Sequence, residues 1–414
     1  MNSTSGRSIV RLYAWRLLRG DSSGNQTLKP VVRIATTGIV LGVAAMLLST
    51  MVVTGFRDEI TSKVTGFVAN YRISSLTNSD SFEEQPITIS REKLDEIRST
   101  PGIRHVQEFS HKAALLKAGD DINGIVMKGY NRDHDKSFFK SRLKSGRLPE
   151  YNDSSYSKEV LVSEYIAKKM DLKTGDEFLV FFIQNDRKVR KVKVCGIYNS
   201  GLGEEFDQLY VFCDIGLIRR INGWEDTQCG GFEIYTDLDD DKEALYGRLY
   251  ETIGMDLDLK SSRDLHPQMF QWLELQNINV VVIIGLISLV AGITLLALLL
   301  ILVMEHTRSI GVLKTIGARD NTIGSVFATV GFFILLRGIL IGNLIALMIA
   351  GIQHQTGLIP LDEESYYLSQ VPIQFSWVSW ALTNCVVLLI GLLLMKTSTR
   401  IIASIRPVRV LRFD

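Results

Sequence analysis

The sequence predicts an integral membrane protein with four transmembrane α-helices and a large α+β extracytoplasmic domain between helices 1 and 2. Three observations carry this prediction. Four apolar runs are each long enough to cross a bilayer, which takes about 20 residues of helix. A polar stretch of globular composition separates the first run from the other three. Basic residues gather in the short segments that would lie on one side of the membrane. The balance of 46 Lys+Arg against 45 Asp+Glu argues against a nucleic-acid partner.

Residues 1–33 carry Arg7, Arg11, Arg16, Arg19, Lys29 and Arg33 against Asp21, and read as a cytoplasmic segment. Span 1 covers 34–56, and Ile34 to Val53 holds no charge. This run is longer than a signal-peptide core and no small-x-small site follows it, so an uncleaved anchor is expected.

The outer domain occupies 57–274. It begins near GFRDEITSKVTGFVANYRI, in which Phe56, Ile60, Val64 and Phe67 recur at helical spacing. The first helix is therefore expected to run on as an amphipathic stalk. Its stripe would either pack on the domain or face a lipid-bearing substrate. Period-two alternation predicts strands in AALLKA, GIVMKGY, FLVFFI, KVKVCGIY and FEIYTD, with helices in REKLDEIRS and SEYIAKKM. Gln184-Asn185-Asp186 reads as a hairpin turn between two of these strands. Asp237 to Asp241 reads as a solvated acidic loop, with calcium binding as the alternative. The length suits two small subdomains.

Span 2 covers 275–304 and is free of charge up to Met304. The linker 305–320 holds Arg308, Lys314 and Arg319. Span 3 covers 321–352, with Arg337 its one charge, and both a functional role and simple pairing or snorkelling are open for it. The loop 353–375 has no Lys or Arg but has Asp362, Glu363 and Glu364. Span 4 covers 376–395, and the tail 396–414 carries Lys396, Arg400, Arg406, Arg409 and Arg412. Loop charge therefore places both termini and the linker inside, and the 353–375 loop and the large domain outside.

Catalytic signatures are missing. There is no GxxxxGK[ST] phosphate loop, no HExxH, no GxSxG and no CxxC, and the six histidines are scattered. No metal site and no catalytic residue are expected. Cys195, Cys213 and Cys229 leave one thiol over if any two pair, and buried free thiols are the simpler expectation.

The linker is the informative segment. In EHTRSIGVLKTIGA, Ile310, Leu313 and Ile316 recur at steps of three, while Glu305, Arg308 and Lys314 are polar. This predicts a short amphipathic helix that offers an apolar ridge to a cytoplasmic partner or lies in the lipid interface. Gly38-xxx-Gly42 and Gly338-xxx-Gly342 would permit close helix approach.

The segment EHTRSIGVLKTIGARDNTIGSVF resembles the coupling segment of MacB/FtsX-type ABC permeases, and the four-span layout resembles that superfamily along nearly the whole chain. Three further segments are most similar to the lipoprotein-releasing (LolC/LolE-type) branch: GFRDEITSKVTGF, VCGIYNSGLGEEFDQLYV and LDEESYYLSQVPIQF. The ending MKTSTRIIASIRPVRVLRFD departs from the Tyr-Pro-Ala type common in the family, keeping Pro407 and the basic tail. The FLVFFI hairpin is shorter than in the family's carrier-recruiting subunit, which puts direct carrier recruitment by this chain in doubt.

The resemblance implies an inner-membrane permease of a Gram-negative cell. Its partners would be a cytoplasmic ABC ATPase, a second permease chain, a lipoprotein substrate and a periplasmic carrier. ATP and Mg would bind the ATPase, and this chain would hold no cofactor. Glu305, Arg308, Ile310, Leu313, Lys314 and Ile316 would couple to that ATPase. Met46, Val53, Phe56 and Ile60, with Ile278 and Val282, would line a path for acyl chains, and Tyr366, Tyr367 and Leu368 would close its mouth. A permease that controls a cell-wall hydrolase, or an exporter of small molecules or peptides, is the alternative function.

Overall fold

A computed structural model describes residues 28–78, 82–119, 121–151, 156–182, 188–237, 242–362 and 366–403. The basic residues before 28, the turn at Gln184-Asn185-Asp186, acidic residues 238–241, Glu363, Glu364 and the tail beyond 403 lie outside the described residues, as does the side chain of Arg308. The chain divides into two compact units. Among the described residues, one lies within 28–57, 272–359 and 371–403, and the other within 58–271 and 360–370.

Helix α1 (Leu28–Val68) is continuous, so the expected stalk is present. Its stripe is resolved in favour of packing: Ile60, Val64 and Phe67 are fully buried, and only Phe56 is half-exposed. Strand β1 (Tyr71–Ser75) and helix α2 (Arg91–Ser99) follow. Two long strands come next, β2 (Ile103–Ala118) and β3 (Asp121–Tyr130). Helix α3 (Ser137–Arg142) precedes β4 (Leu143–Gly146), β5 (Glu159–Ser163) and α4 (Glu164–Lys169). The predicted hairpin is β6 (Glu177–Phe182) with β7 (Lys188–Tyr198), paired antiparallel from Glu177↔Lys193 to Phe182↔Lys188. Then come α5 (Glu204–Asp207), β8 (Tyr210–Asp214), α6 (Ile215–Asn222) and β9 (Gly231–Thr236). Helix α7 (Lys242–Ile253), β10 (Leu257–Ser261) and α8 (Ser262–Leu265) complete the outer unit.

The strands run in the order β10-β1-β9-β2-β3-β8-β5-β7-β4, and β6 pairs with both β2 and β7. The path β2-β3-β8-β5-β7-β6 thus closes into a ring, which removes exposed strand edges there. The length of β2 makes this possible. Its first half pairs with β9 and its second half with β6, Leu115 opposite Phe181. Two cores result. Leu116, Met127, Val162, Val180, Val194 and Val211 belong to one, together with Ile166 of α4 and Ile218 of α6. Ile73, Ile97, Ile234, Leu249 and Leu259 belong to the other, with α2 and α7 packed on the sheet.

Phe67 lies in the last turn of α1, inside this unit. Its ring meets those of Phe138, Phe206, Tyr210 and Phe212 at 5.5–5.8 Å between centroids. The Lys128 ammonium donates to the Phe67 carbonyl at 3.4 Å and pairs with Glu233 at 2.6 Å. A cation at a helix C-terminus compensates the unpaired carbonyls and the helix dipole there. Both Lys128 and Glu233 are buried, so either alone would be costly.

The membrane unit contains most of α1 and three further spans: α9 (Pro267–Glu305), α11 (Asp320–Thr356) and α12 (Trp377–Ala403), with the short α10 (Thr307–Thr315) between the first two. All four long helices are apolar and long enough to cross a membrane. The predicted small-residue pairs are used within the chain. A Cβ on Gly338 would lie 2.5 Å from Ile39 Cγ2, and one on Gly342 would lie 2.8 Å from the Val40 carbonyl oxygen. Spans 1 and 3 therefore touch backbone to backbone. Spans 3 and 4 are pinned by polar groups: Trp380 Nε1 donates to Asn343 Oδ1 at 2.6 Å, and Asn343 Nδ2 donates to Asn384 Oδ1 at 2.8 Å.

Candidate functional site

Helix α10 is present where the linker predicted it, but its faces are divided differently. Ile310 is only 2% exposed and packs in the bundle core, with Leu313 half-buried against the same core. Ile316 is 78% exposed and Val312 47%, and Met304 just before the helix is 75% exposed. The geometry explains the correction. Each step of three residues turns 300°, so Ile316 lies about 120° around the helix from Ile310. Ile316 is also the C-cap, beyond the last full turn. The residues expected as one ridge are thus two faces, with Ile310 and Leu313 inward and Val312 and Ile316 outward.

Lys314 is not a free polar flank. Its side chain is 10% exposed and pairs with Asp320 at 2.8 Å, which ties α10 to the start of α11. Gly317 at φ +96° makes the turn between them, where no residue with a side chain fits without strain. Glu305 is exposed at the end of α9. Arg337 is exposed at the middle of α11.

The residues expected to line an acyl path are only partly available. Met46 is buried in the bundle core, where the Ser288 hydroxyl reaches its sulfur at 3.7 Å. Ile60 and Leu368 are buried in the outer unit. These three are covered by the chain's own packing, so they do not line an open surface. Val53, Phe56 and Tyr367 are half-buried. Ile278 and Val282 are exposed on α9 and Tyr366 on the outer loop. On α9, Val281, Leu286, Leu289 and Ile293 are exposed as well, an extension the sequence did not single out.

A second cluster forms in the outer unit. Lys63 of α1 donates to the Tyr367 carbonyl at 2.8 Å and to the Gly201 carbonyl at 3.4 Å. One ammonium thus joins three segments distant in sequence. Gly201 is at φ +67°, and a Cβ there would approach Lys63 Nζ to 3.1 Å. The turn around Gly201 is built from its neighbours: Asn199 Oδ1 accepts from Gly201 N at 2.9 Å, and Asn199 Nδ2 donates to Glu164 at 3.1 Å. Residues 360–362 and 366–370 are tied to one another, with Leu361 N donating to the Ser369 carbonyl at 2.9 Å and Tyr366 N to the Asp362 carbonyl at 3.0 Å.

Beside this cluster is a polar cleft of ≈ 310 Å³ lined by Glu164, Lys168, Asn199, Gly201, Asp207 and Asp362, among others. Burial pushes the Asp207 carboxyl up to about 6, against the lowering effect of the Ser200 amide that it accepts from. No group of His, Cys, Asp or Glu among the described residues is arranged to hold a metal ion. The four cysteines are free. Cys195, Cys213 and Cys229 are buried, and burial pushes the Cys195 thiol up to about 12, so they act as small apolar groups.

Four apolar spans, a mixed α/β outer unit and a short helix between spans 2 and 3 define a membrane permease with a large extracytoplasmic domain. Residues 34–245 match the MacB-like periplasmic core domain, and residues 281–407 match the FtsX-like permease C-terminal domain. The chain therefore belongs to the MacB/FtsX family of ABC permeases and is a multi-pass inner-membrane protein. It is 22% identical to the lipoprotein-releasing system transmembrane protein LolE of Haemophilus influenzae, over 96% of this chain and 98% of that one. It is 20% identical to the lipoprotein-releasing system transmembrane protein LolC of Neisseria meningitidis serogroup B, over 98% and 100%. The periplasmic region of MacB from Actinobacillus actinomycetemcomitans aligns with 14% identity and a TM-score of 0.35, covering 51% of this chain and 97% of that one.

Proposed function

We propose that this chain is the permease subunit of an ATP-driven transporter that extracts lipoproteins from the outer leaflet of the inner membrane and passes them to a periplasmic carrier. The observation that carries this reading is the end-to-end similarity to LolE and LolC, outer domain and spans together. The three segments that resemble the same branch meet at Lys63, which supports it further.

ATP and Mg belong to a separate ATPase, and a second permease chain completes the membrane part. Val312 and Ile316 are exposed apolar groups of this segment that can meet the ATPase, and the Lys314–Asp320 pair carries a displacement of α10 into span 3. Drawing an acyl chain from the membrane costs about 0.8 kcal/mol per CH₂ bared to water, so three chains demand an apolar shelter. The exposed apolar face of α9, with Ile278 and Val282, supplies one wall.

The test is reconstitution of this chain with its ATPase and second permease in liposomes that contain an acylated lipoprotein. ATP-dependent transfer to a soluble carrier supports the proposal. ATP hydrolysis without transfer, together with export of peptides or small molecules, moves the function to an exporter.

A further inference from the structure

We infer that the loop between spans 3 and 4 is clasped to the outer domain at Tyr367 by Lys63 and moves with it, so that the domain pulls on all four spans. By sequence this loop joins two membrane helices. In the structure it belongs to the compact outer unit instead.

Three features hold it there. Leu368 is buried, although the residues around it are partly or fully exposed. Tyr367 adopts φ +59°, a left-handed conformation unfavourable for a tyrosine, and its carbonyl is turned onto the Lys63 ammonium. Gly201, also left-handed, offers the second carbonyl and leaves the room that the ammonium needs. A strained tyrosine and an unstrained glycine turn thus face one cation, and the 2.8 Å bond to the Tyr367 carbonyl is charge-assisted, the strong kind.

Lys63 itself cannot shift freely. It lies one turn before Phe67, between Ile60 and Val64, which are buried in the outer unit. The chain leaves that unit toward the membrane through α1, through α9 and through both ends of the loop. A rotation of the domain therefore draws on spans 3 and 4 as well as on spans 1 and 2. The role of that pull in release rests on the function proposed above, whereas the clasp does not.

The experiment is hydrogen exchange on the full chain in lipid nanodiscs, comparing the native protein with Lys63→Met and Lys63→Arg. In Lys63→Met, the amides of Leu361 and Tyr366 should exchange at least about tenfold faster, while amides of β2, β3 and α11 stay unchanged. Lys63→Arg should keep most of the protection, because a guanidinium can reach the same carbonyls. Unchanged loop exchange in Lys63→Met, or equal acceleration throughout the outer unit, would overturn the clasp. In the assembled transporter, Lys63→Met should hydrolyse ATP at the native rate but lose release at least about tenfold. Native release in that variant would overturn the pull while leaving the clasp standing.

Discussion

Two isoleucines six residues apart on the segment between spans 2 and 3 should fail in opposite ways. Ile310 is 2% exposed within the bundle core, and Ile316 is 78% exposed beyond the end of α10. Truncating a buried isoleucine to alanine costs about 2–5 kcal/mol through lost packing and the cavity left behind. Ile310→Ala should therefore lower the thermal stability of the purified protein and weaken partner binding only in proportion. Ile316→Ser removes almost no internal contact, so its stability should stay within about 0.5 kcal/mol of native. If an ATPase covers Ile316, the lost burial is worth about 1.5–3 kcal/mol. That corresponds to a dissociation constant roughly 10- to 150-fold higher. The assay is thermal unfolding in detergent beside a titration with the purified ATPase. Native ATPase affinity in Ile316→Ser, or loss of affinity without loss of stability in Ile310→Ala, would refute the assignment of the two faces.

Three other outcomes follow from the packing and the charges. Gly338→Ala places a Cβ 2.5 Å from Ile39 and should destabilise the bundle by about 1–3 kcal/mol, whereas Gly351→Ala, with nothing within 4 Å, should be neutral or slightly stabilising in the same detergent melt. Phe67→Ala should cost about 3–5 kcal/mol and expose the outer domain to limited proteolysis, since it empties the centre of the aromatic cluster. Asp207 has a carboxyl raised by burial from 3.8 to about 6, so it favours the fold when protonated. Its contribution is fully present below about pH 4 and is lost as the pH rises through about 6, with an upper bound of about 3 kcal/mol. Asp207→Asn should remove that part of the pH dependence, and an identical profile in the variant would contradict the assignment.

The spans and their order were legible because an unbroken apolar run of bilayer length has few other uses. Strands such as KVKVCGIY and FEIYTD declared themselves by alternation. Other features were not local. The ring of strands depends on β2 meeting β6 more than sixty residues later, and no pattern within either strand encodes that pairing. Met46 was misplaced because a helix apolar on every side does not announce which side meets its neighbours. The coupling ridge was misread because a step of three drifts around a helix of 3.6 residues per turn. Lys63, Gly201 and Tyr367 each stood within a recognisable segment, but only the folded chain shows that they share one ammonium.

The central claim is lipoprotein release, and depletion of this chain in its native cell tests it most directly. Acylated lipoproteins would be followed between inner and outer membranes after depletion, with rescue by the native chain or by Ile316→Asp. The account predicts that lipoproteins build up in the inner membrane, that the native chain clears them, and that Ile316→Asp does not. Normal lipoprotein sorting after full depletion would contradict it.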